Sequence, residues 1–325
     1  MVKTKMDTET QTETNSECDL KSKSCSTPNE YDIMKKAQSE QEQRLRLKMN
    51  KIRHKIAIIS GKGGVGKSTV TVNLAMAFAM HGHTNRVGVL DADIHGPCVP
   101  RMLDLKEQRL IGGPAGMLFP VTGPLGIKVV SMGFLLQSDE APVIWRGPLK
   151  MRVIQQFLSD IMWGELDFLF IDLPPGTGDE PLSVMQLIPD MDGVIIVTIP
   201  SEVSQAVVKK AITFARQLNI PIIGIIENMG GFICPECGAR IDIFKAGGGQ
   251  KIAEDLSIPF LGSIPIDPEI CRDCDNGIPF IIEHADSAAA KAFAEIVKKV
   301  KHFLEQNERP GRIAEPSLLE RRAKK

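Results

Sequence analysis

The chain has 325 residues, enough to bury a full core, and one large α/β domain with appendages is the prior for that length. Its 39 basic and 40 acidic residues leave a formal net charge of -1, which excludes a global field for nucleic acid or acidic substrates. A polar N-terminus argues against a signal peptide, and the apolar runs are far too short to span a bilayer, so the chain is expected to be cytoplasmic and to bind neither nucleic acid nor membrane.

Residues 1 to about 28 are rich in Thr, Ser, Glu and Lys, a composition that predicts disorder. Asn29 to Arg53 is highly charged with scattered apolar residues, and reads as a loosely packed solvated helix or a linker. From Lys55 the texture changes. Continuous apolar runs at Lys55–Ser60, Arg86–Asp91, Ile127–Met132, Asp167–Asp172, Gly193–Pro200, Ile222–Asn228 and Pro259–Ile264 suit strands buried on both faces of a parallel sheet. Helical patterns at Ser68–His81, Lys150–Trp163, Ser204–Leu218, Gly248–Leu256 and Ser287–Glu305 fill the gaps. The alternation predicts a doubly wound, mostly parallel α/β sheet. The expected organisation is an N-terminal extension (1–50), one nucleotide-binding domain (51–305) and a polar tail (306–325).

Three motifs are expected to meet at the carboxyl edge of that sheet. The first, Gly61-Lys62-Gly63-Gly64-Val65-Gly66-Lys67-Ser68, follows an apolar strand and opens a helix, the context of a phosphate-binding loop. Glycines let backbone N–H groups converge on phosphate oxygens, and the helix N-terminus adds its dipole. Lys67 would reach the β- and γ-phosphates, and Ser68 would hold Mg²⁺. The second motif, Asp91-Ala92-Asp93, ends a strand. The third begins at Asp172, which follows Phe168-Leu169-Phe170-Ile171 and is placed to bind Mg²⁺ through water; Gly176 after Pro174-Pro175 allows a mobile turn. Asp91 and Asp93 could also act simply as turn caps.

Cys234-Pro235-Glu236-Cys237 lies on a glycine-flanked stretch. Two cysteines cannot complete a tetrahedral metal site or a four-iron cluster, but a twofold axis would bring a second pair opposite the first. Structural zinc shared with Cys271 and Cys274, or a redox disulfide, are the competing readings. Cys271 and Cys274 read as incidental thiols on a helix turn, Cys98 as a packed thiol, and Cys18 and Cys25 remain unassigned. His81 and His83 suit a helix end, and Trp145 and Trp163 suit core or interface positions.

The loop with its extra Lys62 resembles the deviant Walker A loop of dimeric P-loop ATPases: nitrogenase iron protein, the Min and Par spatial ATPases, and the Mrp/ApbC iron–sulfur carriers. Cys234 and Cys237, shortly after Asn228-Met229, are most similar to the Mrp/ApbC branch, over about Lys51 to His302. The resemblance implies a nitrogenase iron protein-like fold and a homodimer in which Lys62 reaches the partner's nucleotide. It also implies that Asp93 orients the attacking water, that Asp91 supports Mg²⁺, and that Asn228 reads adenine. Asn228 could equally be a structural turn residue. The implied activity is slow ATP hydrolysis, coupled to passing a [4Fe-4S] cluster held on Cys234 and Cys237 from an assembly scaffold to recipient apoproteins. No strong general base appears near the γ-phosphate, so turnover without a partner should be slow. A Min/Par-type spatial switch and a zinc-stabilised ATPase are the alternatives.

Overall fold

The computed structural model describes residues 30–135, 154–156, 158–234, 236–244 and 247–308. Cys18, Cys25, Trp145, Pro235 and the tail beyond 308 lie outside the described residues. A long helix, α1 (Glu30–Met49), leads into β1 (Ile52–Ser60). Contacts divide the chain at Glu40/Gln41, so the last turns of α1 belong to the main body. There the loosely packed expectation fails. Leu45 and Met49 are buried, and the buried Lys55 ammonium donates to the Met49 carbonyl at 3.4 Å.

The main sheet collects β1, β2 (Val87–Asp91), β5 (Val121–Thr122), β6 (Lys128–Ser131), β7 (Leu166–Asp172), β8 (Gly193–Thr198), β9 (Ile222–Ile233), β10 (Arg240–Ile241) and β11 (Phe260–Ile266). Its order is β10-β9-β8-β1-β7-β2-β6-β5, with β11 also on β9. Every central pairing is parallel; only β5 and β10, at the ends of that order, run antiparallel. A separate two-residue ladder, β3 (Ile111–Gly112) with β4 (Leu118–Phe119), lies in the connection before β5. That connection had no periodic signal in the sequence.

Alternation along each strand divides one apolar run between two cores. Ile56, Ile58, Val87, Val89, Phe168 and Phe170 point to the face covered by α2 (Lys67–Phe78) and α9 (Ala288–Gln306). Ala57, Ile59, Leu90, Leu169, Ile171 and Ile196 point to the other face, covered by α4 (Asp179–Leu187), α5 (Glu202–Gln217) and α6 (Gly248–Asp255). On the first face Phe78, Phe168 and Phe170 form a tilted cluster, with Phe78 4.5 Å from Phe168. Each such buried ring contributes about 1.5–3 kcal/mol. Trp163, as expected, is a core residue, 1% exposed.

Helix α2 stops at Phe78 and continues as a π-turn over Ala79–His83, broken at Gly82 (φ 98°). His81 Nδ1 donates to the Ala77 carbonyl at 2.7 Å, and His83 pairs with Asp167 at 2.8 Å. His81 thus finishes the helix, as its sequence position suggests, whereas His83 ties the turn to β7 through Asp167. The remaining helices are α3 (Val99–Met102), α7 (Pro268–Asn276) and α8 (Phe280–Glu283). Among the described residues, no helix is long and apolar enough to cross a membrane.

Candidate nucleotide and cysteine site

Strand order builds the site. β7 lies between β1 and β2, so the loop after Ser60, the Asp172 carboxylate and the Asp91 carboxylate emerge from three adjacent strands at one edge. Register sets Asp172 beside Ile58 on one side and beside Asp91 on the other.

The glycine loop has a fixed backbone. Gly64 (φ 76°) and Gly66 (φ 78°) occupy the left-handed region, and Gly66 caps α2. Such angles favour glycine because a Cβ would crowd the backbone. Gly61 is required for a different reason: a Cβ there would lie 2.5 Å from Val207 Cγ1 and 2.7 Å from the Val207 carbonyl oxygen. Gly63 and Gly64 are exposed, as a backbone cradle for phosphate requires. Lys62 is half-buried at the start of the loop, and its carbonyl accepts from Ser60 Oγ at 3.0 Å.

Asp172 is buried and fully engaged. Its carboxylate takes the Lys67 ammonium at 2.7 Å, the Ser68 hydroxyl at 2.6 Å and the Thr71 hydroxyl at 2.8 Å. Thr71 also donates to the Lys67 carbonyl at 3.0 Å. Sequence reading missed Thr71, although its spacing from Lys67 is one helical turn. Asp91 is equally buried; it accepts from Ser131 Oγ at 2.9 Å and from the Asp93 and Val99 backbone N–H groups. Burial first, and then the neighbouring Asp172 carboxylate, push the Asp91 carboxyl up to about 8. Asp93 is less buried and accepts from the His95 and Gly96 N–H groups, each at 3.2 Å, which organises the loop beyond it. Both aspartates thus do cap turns, while still facing the loop edge. Beyond Pro174 the third motif is largely exposed, and Gly176 (φ 94°) donates its N–H to the Ser60 carbonyl at 2.9 Å.

Strand β9 runs farther than its apolar run predicts. It continues past Asn228 to Ile233, directly before Cys234. Met229-Gly230-Gly231 hides the continuation in sequence, because Met229 (φ 57°) and Gly231 (φ 109°) are left-handed residues inside the strand. Asn228 donates from its amide to the Val65 carbonyl at 2.9 Å and lies so close to Gly66 that a Cβ there would be 2.2 Å from Nδ2. Its structural reading is therefore occupied: it props the phosphate loop. Glu227 was missed. Buried, it accepts from the Gly249 N–H at 2.6 Å and from Ser263 Oγ at 3.1 Å, joining β9 to α6 and β11. An acid directly after the apolar run Ile222-Ile223-Gly224-Ile225-Ile226 was the available signal.

The cysteine pair sits on the turn between β9 and β10. The hairpin closes through Cys234 N–H to the Ala239 carbonyl and Gly238 N–H to the Cys234 carbonyl, both 2.9 Å. Arg240 fastens its base, donating to the Gly230 carbonyl at 2.7 Å and pairing with Asp242 at 3.1 Å. Cys234 is half-buried and Cys237 is exposed. Backbone N–H groups of Cys237 and Glu236, aided by the Cys237 thiol, hold the Cys234 thiol below its usual range, a preference for the metal-binding thiolate.

The other thiols behave differently. Cys98 is exposed rather than packed, because it follows the outward-facing His95-Gly96 turn and donates to the Gly96 carbonyl at 3.1 Å. Cys271 and Cys274 lie on α7, far from the hairpin in sequence, and Cys274 bonds the Thr69 side chain; burial pushes its thiol up to about 11.

The family model of the NUBPL iron-transfer P-loop NTPases (ParA) matches residues 51–301. The iron-sulfur cluster carrier protein of Methanocaldococcus jannaschii is 53% identical over 247 residues, covering 76% of this chain and 83% of that protein. The cytosolic Fe-S cluster assembly factor NUBP2 homolog of Nematostella vectensis is 41% identical over 236 residues, covering 72% of this chain and 87% of its own. Among solved structures, a nucleotide-binding protein from Archaeoglobus fulgidus in complex with ADP superposes with a TM-score of 0.65 at 43% identity, covering 73% of this chain and 92% of that one. The cell division protein MinD of Aquifex aeolicus, at 21% identity and a TM-score of 0.55, shares the fold over 77% of this chain and 97% of its own. The chain belongs to the NUBPL iron-transfer P-loop NTPase family.

Proposed function

We propose that the protein is an ATP-hydrolysing homodimer that carries a [4Fe-4S] cluster from an assembly scaffold to apoproteins. One observation carries this reading. A single strand, β9, contacts the phosphate loop through Asn228 and ends at the Cys234–Cys237 hairpin. Nucleotide state and thiol position are thereby linked through a few residues of backbone.

The cluster is the cargo. Each chain offers two thiolates from the hairpin, and a second copy across a twofold axis would supply the other two. Ile233, Ile241, Ile243 and Phe244 are exposed beside the pair, at 39%, 52%, 52% and 43%. Apolar side chains grouped around a half-complete metal site support an interface between copies. Cys271 and Cys274 lie on α7 rather than on the hairpin, and Cys274 is engaged with the Thr69 side chain, which favours this over one chain supplying four thiolates to zinc.

For nucleotide, Lys67 and the loop N–H groups hold the phosphates, and Lys62 acts on the partner's nucleotide. Ser68 and Asp172 are hard oxygen donors 2.6 Å apart, with Asp91 on the adjacent strand, and this set suits Mg²⁺. Bound there, Mg²⁺ would neutralise phosphate charge. Asp93, on the partly exposed loop, orients water. ATP rather than GTP fits the lack of an Asn-Lys-x-Asp motif after Asp172.

Anaerobic reconstitution followed by iron, sulfide and zinc analysis tests the proposal. About one four-iron cluster per dimer is expected, and Cys234→Ala/Cys237→Ala protein should neither hold nor transfer it. Zinc without sulfide, or normal transfer by the double variant, overturns it.

A further inference from the structure

We propose that Glu269, Asp273 and His284 form a second metal site, for a divalent ion of the zinc class, where α7 meets the end of α8. The site does not depend on the carrier reading. Glu269 and Asp273 are one helical turn apart on α7, so their carboxylates share a face. His284 caps α8 and returns to that face. One donor atom from each residue lies within 4.8 Å of the other two.

The second observation concerns Asp273. Its side chain is 6% exposed, and its Oδ2 atom is buried without a hydrogen-bond partner. A buried carboxylate oxygen in that condition is costly. His284 Nε2 lies only 3.1 Å from Oδ2, an ion-pair contact when the imidazole is protonated, and no hydrogen bond joins the two atoms. The two atoms face each other as two ligands of one ion do. Bonds of roughly 2.0–2.2 Å in tetrahedral geometry space neighbouring donors about 3.3–3.5 Å apart, so this edge of the site is nearly formed. Glu269 must close the rest. Its carboxylate is held by Arg272 at 2.8 Å, an exposed pairing that an ion would displace.

The donor set selects the ion. An imidazole nitrogen with two carboxylates suits zinc, cobalt or nickel, whereas magnesium and calcium prefer oxygen alone. Three protein ligands leave a position for water. The nearby thiols are not needed, since Cys274 is engaged with Thr69 and Cys271 is exposed.

The test uses the full chain carrying Cys234→Ser/Cys237→Ser, stripped with chelator and titrated with Co²⁺ alone, then with Zn²⁺ in competition. The expected result is one Co²⁺ per chain with ligand-field absorption and without thiolate-to-cobalt charge transfer. His284→Gln and Glu269→Gln should each weaken binding roughly tenfold or more, while Cys271→Ser/Cys274→Ser leaves it unchanged. His284 and Glu269 are only half-buried, so both variants should fold, which circular dichroism verifies. Unchanged affinity in a folded His284→Gln protein overturns the proposal. So does failure to bind Co²⁺, or a charge-transfer band that the Cys271/Cys274 variant abolishes.

Discussion

Asn228 donates its amide to the carbonyl of Val65 at 2.9 Å, so the strand that ends in the cysteine hairpin also supports the crown of the phosphate loop. Val65 is buried, and a buried carbonyl deprived of its donor costs about 1–3 kcal/mol. Asn228→Ala should therefore weaken nucleotide binding by roughly 5- to 150-fold if the whole cost falls on the bound loop. Titration with a fluorescent ATP analogue measures it. Undiminished affinity would show that the loop stands without this prop.

The glycines of the loop should separate into two classes. Gly61→Ala forces a Cβ onto the Val207 backbone and side chain, and overpacking of that kind costs about 1–3 kcal/mol. Its melting temperature should fall. At Gly63 the nearest atom to a new Cβ is Pro175 Cγ at 4.0 Å. Gly63→Ala should melt normally yet bind nucleotide less tightly, because the methyl group stands over the exposed cradle.

Lys62 has no acidic side chain paired with it among the described residues, which suits a lysine with work outside its own chain. If it acts across the dimer, Lys62→Ala and Lys67→Ala proteins should each be inactive alone. Mixed, they should regain part of the ATPase rate, since one site of the mixed dimer keeps both lysines. Absence of recovery in a mixture shown to exchange subunits would place Lys62 in its own chain's site.

Asp91 makes stability depend on pH. Its folded carboxyl titrates near 8, driven by burial and then by Asp172, against about 3.9 when unfolded. The folded state therefore holds the proton more tightly than the unfolded chain does. The resulting stabilisation is complete below about pH 4 and is lost as the pH rises through about 8. Melting temperatures from about pH 5 to about pH 9 should fall for the native chain relative to Asp91→Asn, which keeps the shape without the titration. A flat difference would mean that Asp91 stays ionised throughout.

At the hairpin the order of reactivity should invert the order of exposure. Cys237 is more open than Cys234, but the N–H groups aimed at Cys234 lower its thiol. Since the thiolate is the nucleophile, limited iodoacetamide at neutral pH should label Cys234 first in the metal-free protein. Mass spectrometry of the digested protein gives the order directly.

Much of this was legible in the sequence, for one physical reason. Strands such as Phe168–Ile171 and Val194–Val197 are buried on both faces, so they appear as unbroken apolar runs, and the loops at their ends carry the site residues. What escaped depended on long-range contacts. Glu227 looks like a misplaced charge until Gly249 and Ser263 are seen beside it. Asn228 carries no mark of its partner, since Val65 is distant in sequence. The last stretch of β9 was concealed by its left-handed residues, and the buried end of α1 by its charged neighbours. In each case a local pattern was overruled by a tertiary partner.

The openness of Cys237 has a consequence for how firmly cargo is kept. A group held at a hairpin tip is not sealed inside either chain, so on the proposed reading its retention belongs to the pairing of two chains. Retention then obeys mass action: dilution toward the dissociation constant of the pair sheds the cargo even though neither chain unfolds. The same openness admits an incoming thiol of an acceptor from the solvent side, allowing one ligand to be exchanged at a time. A carrier built this way is leaky by construction, and its leak rate is set by concentration as much as by chemistry.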